Sequence, residues 1–165
     1  MSFKYRVLFL VAGLGVVLDL WTKALIRENF RYGEIKEIID PVFALTYVRN
    51  RGAAFSFMDS APAAIRDPFF MVVPCIALVA IFIYFRRLHQ DQKLHIVALS
   101  LIASGAIGNL IDRVRFGFVT DFLDLHWKEV YHWPRFNVAD SCIVVGVALM
   151  FLYSLLQKPN EIPAK

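Results

Sequence analysis

The sequence predicts a mainly α-helical integral membrane protein, four transmembrane helices carrying a small extracytoplasmic cap that contains β-structure. Three observations carry this. Of 165 residues, 58% are hydrophobic and 15 are Phe, against roughly 45–50% apolar residues in a soluble domain. Four stretches, about 7–26, 68–85, 94–111 and 138–156, approach the roughly 20 apolar residues that cross a bilayer. Long loops, about 27–67 and 112–137, separate the first span from the second and the third from the fourth. Spans and loops together use residues 1–165, which read as a single membrane domain.

The first span opens on basic Lys4 and Arg6 ahead of an apolar run, as a secretory signal would. No small-x-small cleavage site follows, and the apolar segment runs on into Asp19, Leu20 and Trp21, so it reads as an uncleaved span. Asp19 and Lys23 lie four apart on one helical face with Arg27 four further on, the spacing of a structural ion pair. In the loop that follows, Phe43-Ala-Leu-Thr-Tyr-Val48 alternates and is rich in strand formers. It leads into Asn50-Arg-Gly-Ala-Ala-Phe55, where Gly52, Ala53 and Ala54 remove bulk where a backbone could approach a ligand.

The second span contains Cys75 and the fourth Cys142. Neither has a basic neighbour that would make a reactive thiolate, so both read as buried thiols without a disulfide framework. The third span ends in Gly105-Ala-Ile-Gly108-Asn109, small residues that admit a neighbouring helix or a substrate. Asp112 and Arg113 follow at the interface and read equally as a surface ion pair closing the helix. Residues 116–125 are strand-compatible, and Trp127, Tyr131, Trp133 and Phe136 cluster as an aromatic belt at the headgroups would.

An even number of spans puts both termini on one side, together with Lys4, Arg6, the turn holding Arg86, Arg87 and Lys93, and Lys158 and Lys165. The long loops hold at least as many basic residues, so a count does not decide the orientation. The charge density of the 86–93 turn assigns that side to the cytoplasm and the long loops to the outside. The net charge of +4 is scattered through the loops without a basic stripe and interleaved aromatics, so no nucleic-acid partner is expected. His89, His95, His126 and His132 form no metal-binding pattern, and Asp121, Asp124 and His126 match no zinc or di-metal spacing. Neither a metal nor a cofactor is expected, and nucleophile-elbow, phosphate-loop and dinucleotide motifs are missing.

What remains is a pair of acids. Asp121 follows the third span and Asp140 begins the fourth. A carboxylate at a helix centre in lipid costs about 2.5–3.5 kcal/mol, so acids beside spans are functional candidates. Two that meet cannot both ionise comfortably and share a proton, one serving as base and the other as acid. The same residues have plainer readings. Asn137-Val-Ala-Asp140 is also a helix start, with Asn137 as N-cap and an acid three positions on. Asp121 is also a loop acid facing water. A non-enzymatic carrier or assembly factor could use Asp19, Asp112, Asp121 and Asp140 as a relay or as ion pairs. A conduit would distribute acids through the membrane's depth, whereas this chain gathers them at one face.

Five strings in order resemble lipoprotein signal peptidase, the signal peptidase II family of aspartic peptidases of the bacterial inner membrane. They are Asp19…Lys23, Asn50-Arg-Gly-Ala-Ala-Phe55, Gly108-Asn-Leu-Ile-Asp-Arg113, Val119-Thr-Asp121 and Phe136-Asn-Val-Ala-Asp140. The resemblance implies that Asp121 and Asp140 are the catalytic pair and that Asn50, Gly52, Asn109, Arg113, Asn137 and Ala139 shape the site. Gly105, Gly108, Asp112 and Val119 are expected to support it, with Asp19 and Lys23 as a structural pair. It further implies prolipoprotein substrates cleaved before a diacylglyceryl-modified cysteine, contact with membrane lipid, and an enzyme working as a monomer near the outer face.

Overall fold

The computed structural model describes residues 2–52, 58, 61–128 and 130–156. Four helices are long and apolar enough to span a membrane: α1 (Phe3–Asn29), α2 (Ala63–Arg87), α3 (Lys93–Phe116) and α4 (Val138–Leu156). Between them lie β1 (Ile35–Ile39) and β2 (Phe43–Asn50) after α1, and β3 (Val119–Trp127) and β4 (Tyr131–His132) before α4. The strands pair antiparallel in the order β1-β2-β3-β4.

Three helices extend beyond the apolar stretches expected from composition. Asp112 and Arg113 are helical residues of α3, not the start of a loop, and Asp67 falls inside α2. The expected loops 27–67 and 112–137 shrink accordingly to the segments between Asn29 and Ala63 and between Phe116 and Val138. Hydropathy stops where charge begins, but the backbone ladder of a helix continues into the headgroup region. The strand expected over 116–125 begins instead at Val119, because Phe116 closes α3 and Gly117 turns the chain. Gly117 adopts φ 74°, the left-handed conformation of a helix C-cap, and its N–H donates to Arg113 O at 2.9 Å. Ala53, Ala54, Phe55, Lys158 and Lys165 lie outside the described residues.

The helix α3 is the hub, packed against α1, α2 and α4. Its small residues make this possible. A Cβ at Gly105 would collide with the Ala139 carbonyl and the Ile143 side chain, and one at Gly108 with the Asp19 carboxylate. Outward faces carry large apolar side chains such as Leu14, Val72, Ile76, Val79, Val144 and Phe151, all exposed as lipid-facing residues are. At one end, Lys4 Nζ donates to Arg86 O and Leu88 O at 2.9 and 2.8 Å, tying the start of α1 to the end of α2. Phe85, Leu88, Ile96 and Leu99 form a buried cluster there.

The sheet sits at the opposite end. Ile26, Tyr47 and Phe122 pack together and seat β2 and β3 on the end of α1. Alternation along β2 is broken by one extra residue between Leu45 and Val48, set against Leu123 and Asp121 of β3. Both Thr46 and Tyr47 are buried as a result, where a regular strand would hide only one. The edge strand β1 exposes Ile35, Ile38 and Ile39, and Trp127, Tyr131 and Trp133 are exposed on the same cap. Such amphipathic aromatics suit the headgroup layer.

The contrast between two helical glycines tests the packing. Gly105→Ala should lower the thermal midpoint in detergent, at a cost of about 1–3 kcal/mol typical of overpacking. Gly13→Ala, whose Cβ would meet nothing within 4 Å, should leave it unchanged or raise it slightly. Differential scanning fluorimetry of both variants measures the difference.

Candidate active site

Asp121 is the third residue of β3, paired with Val48, while Asn50 pairs with Val119. Asn50 and Asp121 are therefore diagonal neighbours on one face of the sheet. Asp140 stands in the first turn of α4. Asn137, which is wholly buried, connects the two acids. Its Nδ2 donates to Asp121 Oδ1 at 2.7 Å, and its Oδ1 accepts the backbone N–H of Asp140 at 2.9 Å. Asp140 Oδ2 returns the contact by accepting the Asn137 backbone N–H at 3.2 Å. This is a reciprocal capping arrangement at the start of α4. Asp140 is thus a helix-capping residue that also faces a cleft with Asp121, and the two readings of the sequence are compatible.

Three asparagines surround the acids, and each is oriented by a donor on its carbonyl side. Lys23 Nζ donates to Asn109 Oδ1 at 2.9 Å, so Asn109 Nδ2 turns to Asp140 Oδ1 at 2.8 Å. The Gly52 N–H donates to Asn50 Oδ1 at 3.0 Å, so Asn50 Nδ2 turns to Asp121 Oδ2 at 2.9 Å. The Asp140 N–H fixes Asn137 in the same sense. A neutral amide has one donor end and one acceptor end. With the acceptor ends occupied, all three present N–H groups to the carboxylates.

Behind this layer lies a buried ionic network. Asp19 and Lys23 pair at 2.7 Å with both side chains wholly buried, and Lys23 lies 3.7 Å from Asp112. Arg27 bridges Asp112 Oδ1 at 3.3 Å and Thr120 Oγ1 at 2.9 Å, and the Thr120 N–H donates to Asp112 Oδ2 at 2.9 Å. Asp112 is therefore an anchor joining α1, α3 and β3, not an exposed partner of Arg113. Asp19 Oδ1 accepts the Ala139 N–H at 2.8 Å, an anion held at the positive end of α4. Arg113 instead donates to Gly52 O at 3.0 Å and stacks 5.0 Å from the Phe70 ring, holding the backbone of residue 52 over the site.

Asp121, Asp140, Asn50, Asn109, Arg113 and Val119 all line one cleft of about 560 Å³. Its far wall is apolar, made by Trp133, Phe136, Ile143, Val144 and Val145. Val144 and Val145 belong to the exposed face of α4, so the cleft opens toward the lipid side of the bundle. Gly105 and Gly108 contribute by letting α4 and Asp19 approach α3. Burial pushes the Asp121 carboxyl up to about 7, and the charge of Asp140 adds to the rise. The amides of Asn50 and Asn137 oppose it without cancelling it. Near neutral pH the Asp121 carboxyl is accordingly protonated in about half of the molecules.

The contribution of Arg27 and Thr120 to holding Asp112 was not legible in the sequence. The Asp-x-x-x-Lys-x-x-x-Arg spacing placed Arg27 on the right face of α1, but only the fold shows what stands opposite. The pairing of Asn109 with Lys23 was likewise invisible, because the residues lie 86 positions apart.

The fold and the site define a multi-pass membrane enzyme whose polar centre sits at one end of the helix bundle, open to lipid. Comparisons with known proteins agree. A family model described as signal peptidase (SPase) II matches residues 11–156. The lipoprotein signal peptidase of Geobacter metallireducens is 50% identical over 149 residues, covering 90% of each chain. That of Pasteurella multocida is 46% identical over 137 residues, covering 82% of this chain and 81% of its own. A solved structure described as a bacterial membrane enzyme superposes with a TM-score of 0.83 at 33% identity, covering 96% of this chain and 93% of that one. The chain belongs to the signal peptidase II family.

A raised carboxyl makes stability depend on pH in a definite direction. Between the ordinary value of 3.8 and about 7, the unfolded chain loses the Asp121 proton before the folded one does. The folded state is therefore the better proton binder, and stability from this group falls as pH rises through that window. Asp121→Asn, which does not ionise, should lack this component. Thermal midpoints of both proteins between pH 4 and 8 measure the difference in slope.

Proposed function

We propose that the chain removes signal peptides from prolipoproteins by aspartic catalysis, with Asp121 and Asp140 as the acid/base pair. One observation carries this reading: two carboxylates bonded through Asn137 line a single cleft whose other wall is apolar and faces lipid. A polypeptide carrying a diacylglyceryl-modified cysteine would present its scissile amide at this depth, with the acyl chains against Val144 and Val145. Cleavage falls just before that cysteine.

Asp140 takes the role of the base. It accepts Asn109 and a backbone N–H at the start of α4, where the helix dipole favours negative charge. Asp121 is the protonated member, its carboxyl raised by burial and by the neighbouring charge. Asp140 takes a proton from water, the water oxygen bonds to the amide carbon, and Asp121 gives its proton to the carbonyl oxygen. In the second step a hydroxyl of the tetrahedral intermediate returns a proton to Asp121. The C–N bond breaks as Asp140 protonates the leaving nitrogen. The pair ends in its starting protonation state and no covalent intermediate forms. Asn50, Asn109 and Asn137 hold the carboxylates, and Arg113 with Gly52 borders the path of the substrate backbone.

Lys4, Arg86, Arg87 and Lys93 gather at the end of the bundle opposite the cleft. By the positive-inside rule that end is cytoplasmic, which puts both termini inside and the active site at the outer face of the bacterial inner membrane.

Purified protein in detergent should shorten a diacylglyceryl-modified lipoprotein precursor on a gel, while Asp121→Asn and Asp140→Asn should each lose more than 99% of that activity. Substantial cleavage by both single variants would remove the assignment. The rate should also decline as pH rises through about 7, because the acid loses its proton. A pH profile of kcat/KM on the same substrate reads this limb.

A further inference from the structure

Away from the cleft, the pairing of β3 with β4 sets His126 opposite His132. The two imidazoles stack with centroids 5.2 Å apart and planes at 25°. Asp124 precedes His126 by two residues and so projects from the same face of β3. Its Oδ1 lies 3.3 Å from His132 Nδ1 and 4.0 Å from His126 Nδ1. Its Oδ2 is occupied by Arg135 Nε at 3.0 Å. The donor atoms of Asp124, His126 and His132 all fall within 4.8 Å of one another.

The state of His126 makes this more than a cluster. Its side chain is 6% exposed, and Nε2 lies 3.3 Å from Glu37 Oε2 of β1. A carboxylate only accepts, so in the neutral ring that donates Nε2–H to Glu37, Nδ1 carries a lone pair. That Nδ1 is buried and has no hydrogen-bond partner. It is aimed at another acceptor, the Asp124 carboxylate. Two electron-rich atoms facing each other in a buried place are relieved by a cation between them. A carboxylate orienting the far nitrogen of an imidazole is also the usual support of a metal-bound histidine.

We propose that Asp124 Oδ1, His126 Nδ1 and His132 Nδ1 bind a divalent transition-metal ion of the zinc type. Two imidazoles and one carboxylate suit that ion, with water completing the shell. Bonds of about 2.0–2.1 Å in a tetrahedral arrangement set donor atoms about 3.3 Å apart, the separation His132 and Asp124 already have. His126 needs only a small closure. The surrounding cleft also holds Glu37, Asp40 and Lys128, so with Asp124 and Arg135 three acids stand against two bases, a balance that accepts a cation.

The expectation of a metal-free protein rested on the four histidines forming no metal-binding pattern along the chain and on the spacing of Asp121, Asp124 and His126. Asp121 is instead held by Asn50 and Asn137, and the missing third ligand is His132, brought in across the hairpin. Bound metal would pin β4 to β3. From β4 the chain runs through Arg135 and Phe136, which pairs with Leu123, directly to Asn137. The ion would thereby stiffen the segment that delivers the start of α4 to the site.

The test uses untagged full-length protein in detergent, stripped with a chelator and titrated with zinc chloride by calorimetry. One equivalent should bind and raise the thermal midpoint. His126→Gln and His132→Gln should each weaken binding at least tenfold and abolish the thermal shift, and Glu37→Gln should weaken it by about tenfold. X-ray absorption at the zinc edge of the wild type should report two imidazole ligands, a readout independent of how any variant folds. Absence of stoichiometric binding, a ligand shell without imidazole, or undiminished affinity in the His126→Gln/His132→Gln double variant would overturn the proposal.

Discussion

The start of α4 is the point on which the rest of the structure depends. Three carboxylates, three backbone N–H groups and a wholly buried amide meet there. In a bundle surrounded by lipid, an unsatisfied polar group costs several kcal/mol, so each of these must find its partner inside the protein. Asp19 takes the Ala139 N–H, Asp140 takes that of Asn137, and Asn137 Oδ1 takes that of Asp140. The free N–H groups that every helix leaves at its first turn thereby become the anchors of the site.

This arrangement explains why a structural network lies behind the candidate catalytic pair. The pair needs amides that donate, and an amide in a dry place is equally able to turn its oxygen inward. Lys23 prevents this for Asn109 by occupying the oxygen, and Lys23 is itself held by Asp19 and Asp112. A buried ion pair adds little stability by itself because desolvation offsets attraction. Its value here is orientational. The charges of α1 and α3 set which way a neutral side chain points, and that in turn sets which groups face the acids.

The cap and the cleft follow from the same economy of satisfied groups. A sheet with edges cannot lie in hydrocarbon, so it sits at the bundle's end, where exposed Trp127, Tyr131 and Trp133 suit the headgroup region. The extra residue in β2 beside Asp121 breaks the alternation there and sets the register that brings Asn50 alongside Asp121. Small residues on α3 then bring α4 close enough for Asp140 to stand beside the strand. The result is a polar pair on one wall and lipid-facing valines on the other, which fits a signal peptidase whose substrate arrives from the membrane.

Four spans, the acids gathered at one face, and strands near 43–48 and 116–125 were legible because hydropathy and alternation are local properties of the chain. So was the doubleness of Asp140, since an N-cap followed three residues later by an acid reads directly from Asn137-Val-Ala-Asp140. The extent of α3 was not, because helical hydrogen bonding continues past the last apolar residue into Asp112 and Arg113. Nor were β1, the interruption in β2, or the meeting of His126 with His132, which depend on strand register. The sequence by itself determined which residues could carry charge into the membrane and at which end. Only the tertiary structure decided that Asn137 joins Asp121 to Asp140, that Lys23 turns Asn109, and that Arg27 reaches Asp112. Those contacts span 16 to 86 positions of chain, and spacing along a chain carries no information about distance across it until the helices pack.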